Sequence, residues 1–242
     1  MNPVLLIPAR MASMRLPGKP LADIAGQPMI VRVWARAMAA GLGPVVVAAG
    51  EEEIVACVEK AGGRAVLTDP NLPSGSDRIW AALKAVDPKG AHDVVVNLQG
   101  DLPALDPGQL KTVVDALAKS GADIATLAAP IDNAADETNP AVVKAVVAWD
   151  ADERLGRALY FTRTTAPGGE GTLYHHVGLY AYRREALESF VALPPSPLES
   201  REKLEQLRAL EAGMSIAVAR VDEAPLSVDT PADLERARKL LS

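Results

Sequence analysis

Val4-Leu5-Leu6-Ile7, followed by Pro8-Ala9-Arg10-Met11-Ala12-Ser13-Met14-Arg15-Leu16-Pro17-Gly18-Lys19-Pro20, is the stretch on which the fold turns. Four consecutive apolar residues read as a strand buried on both faces, the mark of a parallel sheet covered by helices. The loop after it is long for a compact domain, and such loops usually serve a function. Regular structure resumes only near Pro28, where Met29, Ile30, Val33, Trp34, Ala37 and Met38 recur at helical spacing. Arg10, Arg15 and Lys19 all precede the first acid, Asp23. Gly18 lets the backbone approach a ligand, and Pro17 and Pro20 stiffen the turns around it. Three cations and loop amides at the end of a first strand suit a polyphosphate, since open α/β sheets bind ligands beyond the carboxyl ends of their strands. The competing reading is a solvated basic loop making surface ion pairs worth about 0–1 kcal/mol each. A Walker A loop is excluded, because Lys19 is followed by Pro20 rather than Ser or Thr.

Outward from that loop, strand and helix alternate. Val45–Ala49 reads as a second strand, Glu51 onward as a helix with acids at its positive end, and Ala65–Leu67 as a third strand. A helix carrying Ile79, Trp80, Leu83 and Val86 opens at Pro73-Ser74-Gly75-Ser76-Asp77-Arg78, with Ser76 expected as its N-cap. Asp93–Leu98 is the strongest buried-strand signal in the chain. Asp106-Pro107 opens the next helix, residues 123–129 and 142–149 are strands, and Asp150–Glu153 is the turn of a hairpin. One helix is expected from about Pro195 to Gly213, with Leu204, Leu207 and Leu210 inward and Glu205 and Gln206 off that stripe. The last helix opens at Val228-Asp229-Thr230-Pro231-Ala232-Asp233, where Thr230 and Asp233 form a capping pair. The alternation predicts one α/β domain, residues 1–242, built on a mostly parallel sheet.

Composition narrows the classes. The 242 residues carry a formal net charge of −6 with no extended basic stripe, which argues against nucleic-acid binding. No apolar run approaches the ~20 residues of a membrane span. Cys57 is the single cysteine, so no internal disulfide forms and a reducing cytoplasm is expected.

One carboxylate stands out. Asp101 follows the Asp93–Leu98 strand directly, where α/β folds place ligands, and Mg²⁺ usually takes one or two carboxylates plus waters and phosphates. Its alternative is a turn aspartate bonding its own backbone. Asp229 is not needed for capping and is the second candidate metal ligand. His175-His176 does not read as a chelating pair, because adjacent strand residues point to opposite faces.

Ile7-Pro8-Ala9-Arg10 with Arg15-Leu16-Pro17-Gly18-Lys19-Pro20-Leu21 resembles the signature of the sugar-activating nucleotidyltransferases. Asn97-Leu98-Gln99-Gly100-Asp101, Ala158-Leu159-Tyr160-Phe161-Thr162-Arg163, His175-His176-Val177-Gly178-Leu179-Tyr180, Leu204-Glu205-Gln206-Leu207-Arg208 and Val228-Asp229-Thr230-Pro231 resemble, in order, the motifs of the CMP-Kdo synthetases in that group. The resemblance implies a nucleotide-diphospho-sugar transferase fold with a small dimerisation sheet, the dimerisation and sugar-binding subregion falling at about residues 130–182. It implies CMP transfer from CTP to 3-deoxy-D-manno-octulosonate (Kdo), with release of pyrophosphate, for lipopolysaccharide biosynthesis, by a cytoplasmic homodimer using Mg²⁺. Arg10, Arg15, Lys19, Ser74, Gly75, Arg78 and Gln99 would hold CTP, and Arg163, His176, Tyr180, Glu205 and Gln206 the sugar. Lys19, Arg10, Asp101 and Asp229 would be catalytic, the two aspartates through the metal.

Three positions depart from the resemblance. Met14 replaces a Ser or Thr, Leu102 a Glu, and Ala49-Gly50 a Thr-Asp pair. Other readings are a cytidylyltransferase for a related acid sugar such as 8-amino-Kdo or sialic acid, one for an isoprenoid precursor, or a non-catalytic nucleotide-binding protein.

Overall fold

A computed structural model describes residues 1–13 and 15–242. In chain order, β1 (Pro3–Ala9) is followed by a 3₁₀ turn (Lys19–Leu21), β2 (Asp23–Ile24), β3 (Gln27–Pro28), α1 (Met29–Ala39), β4 (Val45–Ala49), α2 (Glu52–Lys60), β5 (Arg64–Leu67), α3 (Gly75–Val86), β6 (Val94–Asn97) and α4 (Pro107–Ser120). Then come β7 (Ile124–Pro130), α5 (Ala134–Thr138), β8 (Lys144–Trp149), β9 (Leu155–Thr162), β10 (Tyr174–Arg183), α6 (Arg184–Ala192), α7 (Pro197–Glu202), α8 (Gln206–Glu211), β11 (Ile216–Arg220) and α9 (Pro231–Leu241). No helix among the described residues is long and apolar enough to cross a membrane.

The chain divides into two compact units, Met1–Lys111 with Pro225–Ser242, and Thr112–Ala224. The first carries the parallel strands β5-β4-β1-β6. Leu5, Leu6, Ile7, Val47, Val95 and Val96 are all fully buried there, as the unbroken apolar runs require. The second carries β10-β7-β11-β9-β8, in which only β7 and β11 run parallel. It includes the segment 130–182 expected to form a smaller subregion and extends past it on both sides.

Four local expectations are corrected. Residues 19–28 are not irregular: Ala25 and Gly26, both at positive φ, make the two-residue turn of the β2–β3 ribbon. Ser74, not Ser76, caps α3, accepting from the Asp77 amide at 3.1 Å, while Ser76 is buried. The short helix α5, capped by Asn133, had no periodic signal because it spans only five residues. The helix expected over residues 195–213 is two helices, broken where Lys203 takes the left-handed conformation at φ 57°. No glycine or proline marks that break. Glu199 on α7 and Arg208 on α8 hold it, paired through Nε and Nη2 at 2.8 and 2.6 Å. The break turns Gln206 inward rather than off the core face.

In the second unit the parallel β7–β11 pairing starts at a reciprocal clamp. The Ser215 amide and hydroxyl both donate to Asp123 Oδ2 at 2.7 Å, and the Asp123 amide donates back to Ser215 Oγ at 3.0 Å. These bonds hold the Asp123 carboxyl below its ordinary value of 3.8. A depressed carboxylate contributes stability above its unfolded pKa, and loses it as pH falls through the folded one. Ser215→Ala is therefore expected to destabilise the protein by about 1–3 kcal/mol near pH 7. Urea denaturation near pH 7 and again at about pH 3 checks this: the gap between wild type and variant should narrow in acid.

Candidate active site

Strand β1 ends at Ala9, and the loop it releases runs along a cavity of about 370 Å³ in the first unit. Arg10, Arg15 and Lys19 line it, together with Ser74, Gly75 and Arg78 from the start of α3. Gln99 and Asp101, just beyond β6, and Asp229, just before α9, complete it. Every residue expected to hold the nucleotide or the metal thus lies on one cavity, although they come from four separate segments. Strands β1 and β6 are parallel neighbours, so the loops that follow them emerge at the same edge.

The centre of the cavity is a charge cluster. Lys19 Nζ donates to Asp101 Oδ2 at 2.8 Å and to Asp229 Oδ1 at 3.2 Å, and Arg15 Nη2 meets the same Asp229 oxygen at 3.2 Å. Burial works to strip the ammonium of its proton, but the two carboxylates outweigh it and hold the Lys19 pKa above its ordinary value. The Val228 amide donates to the Asp101 carbonyl at 2.9 Å, which pins the two carboxylate-bearing segments side by side. The Asp229 carboxylate takes no part in the capping box of α9, which Thr230 and Asp233 close between them, although the Asp229 amide also donates to Asp233 Oδ2 at 3.3 Å.

The remaining nucleotide-side residues divide by what they touch. Gln99 Nε2 donates to the buried Asn97 Oδ1 at 3.2 Å, which orients its amide. A side chain at position 75 would begin 3.4 Å from Pro8 and 3.9 Å from Gln99 Oε1, so glycine keeps that amide approachable. Arg78 is buried and braces the loop after β5: Nη1 donates to Thr68 Oγ1 at 2.7 Å and to the Asp69 carbonyl at 3.1 Å, and Nη2 to the Pro70 carbonyl at 3.2 Å. Burial and the charge of Arg10 push its pKa down. Position 50 stands against this side chain, since a Cβ there would lie 3.1 Å from Arg78 Nη1. Leu102 is buried, so that departure puts an apolar side chain into the core. Met14 lies outside the described residues.

The sugar-side candidates all lie in the second unit. His176, Tyr180 and Gln206 form one cluster: the His176 and Tyr180 rings are 5.5 Å apart, and Gln206 Nε2 is 3.4 Å from His176 Nδ1. Burial pushes the Tyr180 hydroxyl well up, with Tyr182 and Glu205 adding to it. Glu205 stands at the start of α8.

Two expectations change at this point. His176 does not offer a ring nitrogen to a sugar, because Nε2 is 3.0 Å from Thr126 Oγ1 and Nδ1 faces Gln206. Desolvation pushes its pKa down to about 3, so the ring is neutral. Arg163 acts first as a strut: Nε, Nη1 and Nη2 donate to the carbonyls of Glu202, Pro140 and Lys203 at 2.8, 3.0 and 3.3 Å. That leaves two of its five N–H groups, one on each Nη, for another acceptor. Thr126 was missed by sequence reasoning. A threonine on a buried strand carries no signal until its neighbours are known.

Comparison with known proteins identifies the family. The family described as Cytidylyltransferase matches residues 4–216. A 3-deoxy-manno-octulosonate cytidylyltransferase of Parvibaculum lavamentivorans is 68% identical, covering 100% of this chain and 93% of that protein. One from Rhodospirillum centenum is 65% identical over 99% of this chain and 93% of its own. A solved CMP:2-keto-3-deoxy-manno-octonic acid synthetase in complex with CTP superimposes with a TM-score of 0.91 at 38% identity, covering 100% of this chain and 98% of that one. A 4-diphosphocytidyl-2C-methyl-D-erythritol synthase from Anaerococcus prevotii shares the fold, with a TM-score of 0.66 at 14% identity over 99% of this chain and 97% of that one. The chain belongs to the cytidylyltransferase family, among the 3-deoxy-manno-octulosonate cytidylyltransferases.

Proposed function

We propose that this enzyme transfers CMP from CTP to 3-deoxy-D-manno-octulosonate, giving CMP-Kdo and pyrophosphate. The observation that carries the reading is the cavity where Arg10, Arg15 and Lys19 meet Asp101 and Asp229, in a chain 68% identical along its whole length to a 3-deoxy-manno-octulosonate cytidylyltransferase. Phosphoryl transfer of this kind rests on positioning and electrostatics rather than on a covalent enzyme intermediate.

The donor set fits Mg²⁺. Asp101 and Asp229 present hard carboxylate oxygens within reach of one ammonium, and a cation held by two carboxylates and substrate phosphates is the usual Mg²⁺ arrangement. When bound, the ion contributes Lewis-acid withdrawal of charge from the reacting phosphate and the attacking hydroxyl. Lys19 and Arg15 are then drawn to the triphosphate, where they offset its charge and that of the departing pyrophosphate. Arg10 adds a third cation on the same cavity. Ser74 and Gly75 form the wall beside the base, and Gln99 presents a donor and an acceptor to the cytosine edge. Gln206 and Glu205 read the sugar hydroxyls beside Tyr180, and Arg163 offers its two remaining N–H groups to the Kdo carboxylate. A non-catalytic nucleotide-binding protein would have no use for two carboxylates converging on the phosphate-binding cations.

The same reading includes a cytoplasmic homodimer. The hairpin β8–β9 supports it: Leu159 is exposed, and Val146, Val147 and Trp149 are only partly covered within the chain. Cys57, the lone cysteine, suits a reducing compartment.

Three outcomes are expected. Asp101→Asn and Asp229→Asn should each abolish pyrophosphate release while the circular dichroism spectrum stays native; wild-type turnover of either variant at limiting Mg²⁺ would remove the metal assignment. With CTP and a panel of Kdo, 8-amino-Kdo and sialic acid, release should be fastest with Kdo, and preference for another acid sugar would reassign the substrate. Sedimentation velocity should give a dimer, which Leu159→Glu would shift toward monomer; a monomeric wild type would refute the pairing.

A further inference from the structure

We propose that Thr126 is a positioning residue for sugar recognition: its hydroxyl fixes the tautomer of His176, and His176 in turn fixes which end of the Gln206 amide faces the substrate. The inference rests on the reading of Gln206 as a sugar contact and goes one residue deeper than that reading.

The geometry begins at an irregularity in the sheet. Antiparallel pairing of β10 with β7 runs from Tyr174 to Val177, then shifts register and resumes at Tyr180, which pairs with Thr126. The carbonyls of Val177 and Leu179, at the two ends of that irregularity, both turn to the Thr126 hydroxyl, at 3.0 and 2.9 Å. His176 Nε2 is the third neighbour of the same oxygen, at 3.0 Å. Thr126 is 0%, His176 6% and Gln206 7% exposed, so these groups satisfy one another rather than water.

A hydroxyl has one proton to give and accepts at its lone pairs. Both carbonyls can only accept, so the Thr126 proton goes to them. His176 Nε2 must then be the donor, Nε2–H to Thr126 Oγ1. The ring is neutral, so its other nitrogen, Nδ1, carries a lone pair and accepts from the Gln206 amide nitrogen at 3.4 Å. One N–H of the Gln206 amide is spent on the ring, which turns its nitrogen end to His176 and its carbonyl oxygen the other way, as the acceptor for a sugar hydroxyl. The opposite tautomer would take the Thr126 proton, leave two buried carbonyls facing a lone pair, and set an N–H against the Gln206 amide nitrogen. To escape that clash the amide would turn over and present a donor to the sugar instead. One hydroxyl on β7 therefore decides whether the site offers an acceptor or a donor, and the Phe161 ring, edge-on to His176 at 4.7 Å, keeps the imidazole from rotating out of line.

The test combines a spectroscopic reading with kinetics. In wild-type enzyme labelled with ¹⁵N-histidine, His176 should show the Nε2–H tautomer; an Nδ1–H signature would overturn the proposal without any variant. Thr126→Val, which keeps the shape and loses the hydroxyl, should change that signature and raise the KM for Kdo roughly tenfold, the scale of one misaligned buried hydrogen bond. Its KM for CTP should not move, and Thr126→Ser should restore both the tautomer and the Kdo KM. A purely structural threonine would instead weaken both substrates together. Gln206→Ala, measured in parallel, separates the two readings. If it raises the Kdo KM while Thr126→Val leaves tautomer and KM unchanged, Gln206 reads the sugar and the Thr126 proposal falls. If it leaves the Kdo KM unchanged, the sugar assignment fails and takes the proposal with it.

Discussion

A lysine ammonium held between two aspartates is the interaction on which the active-site unit depends. Asp101 and Asp229 are both aimed at Lys19 Nζ, and two carboxylates that converge on one point repel each other unless a cation stands between them. Lys19, with only 17% of its side chain exposed, would in turn be costly to bury without them. The three segments that carry these groups lie far apart in the chain, and their mutual attraction favours the arrangement in which β1, β6 and α9 present their ends to one cavity. A site that assembles its carboxylates around its own lysine is organised before any ligand arrives.

The sheet makes that convergence possible. Parallel strands buried on both faces send all their following loops to one edge, so residues after β1 and after β6 become neighbours without any local sequence relation. α3 adds its capped start to the same edge. Ser74 both caps the helix and lines the cavity.

The second unit solves a different problem, that of burying polar groups. Thr126, His176 and Gln206 are nearly inaccessible, and each is paired by the next. Such a chain is stable only when every member is satisfied, and that requirement gives it direction. The same logic governs Arg208, whose guanidinium is buried against Glu199 and locks the bend between α7 and α8. Without that bend Gln206 would sit on the outer face of a continuous helix.

Much of this was written in the linear chain. Unbroken apolar runs such as Val45–Ala49 and Val94–Asn97 marked parallel strands, because a strand buried on both faces has no polar side to display. The basic loop, the carboxylate after β6 and the spare aspartate before α9 were visible as departures from what local structure needs. What stayed hidden depends on partners from elsewhere in the chain. Lys203 breaks a helix with no glycine or proline to announce it, since the cause is an ion pair and carbonyl contacts from distant residues. Nothing in the sequence around Arg163 shows that three backbone carbonyls take three of its five N–H groups. Thr126 is an ordinary strand residue until a register shift places two carbonyls and an imidazole against it. Local pattern determined most of the strands and helices and the chemistry on offer, because periodicity and charge are properties of neighbours in sequence. Tertiary structure alone decided which groups are spent on one another and which remain for a substrate, because hydrogen bonds and ion pairs are settled by neighbours in space.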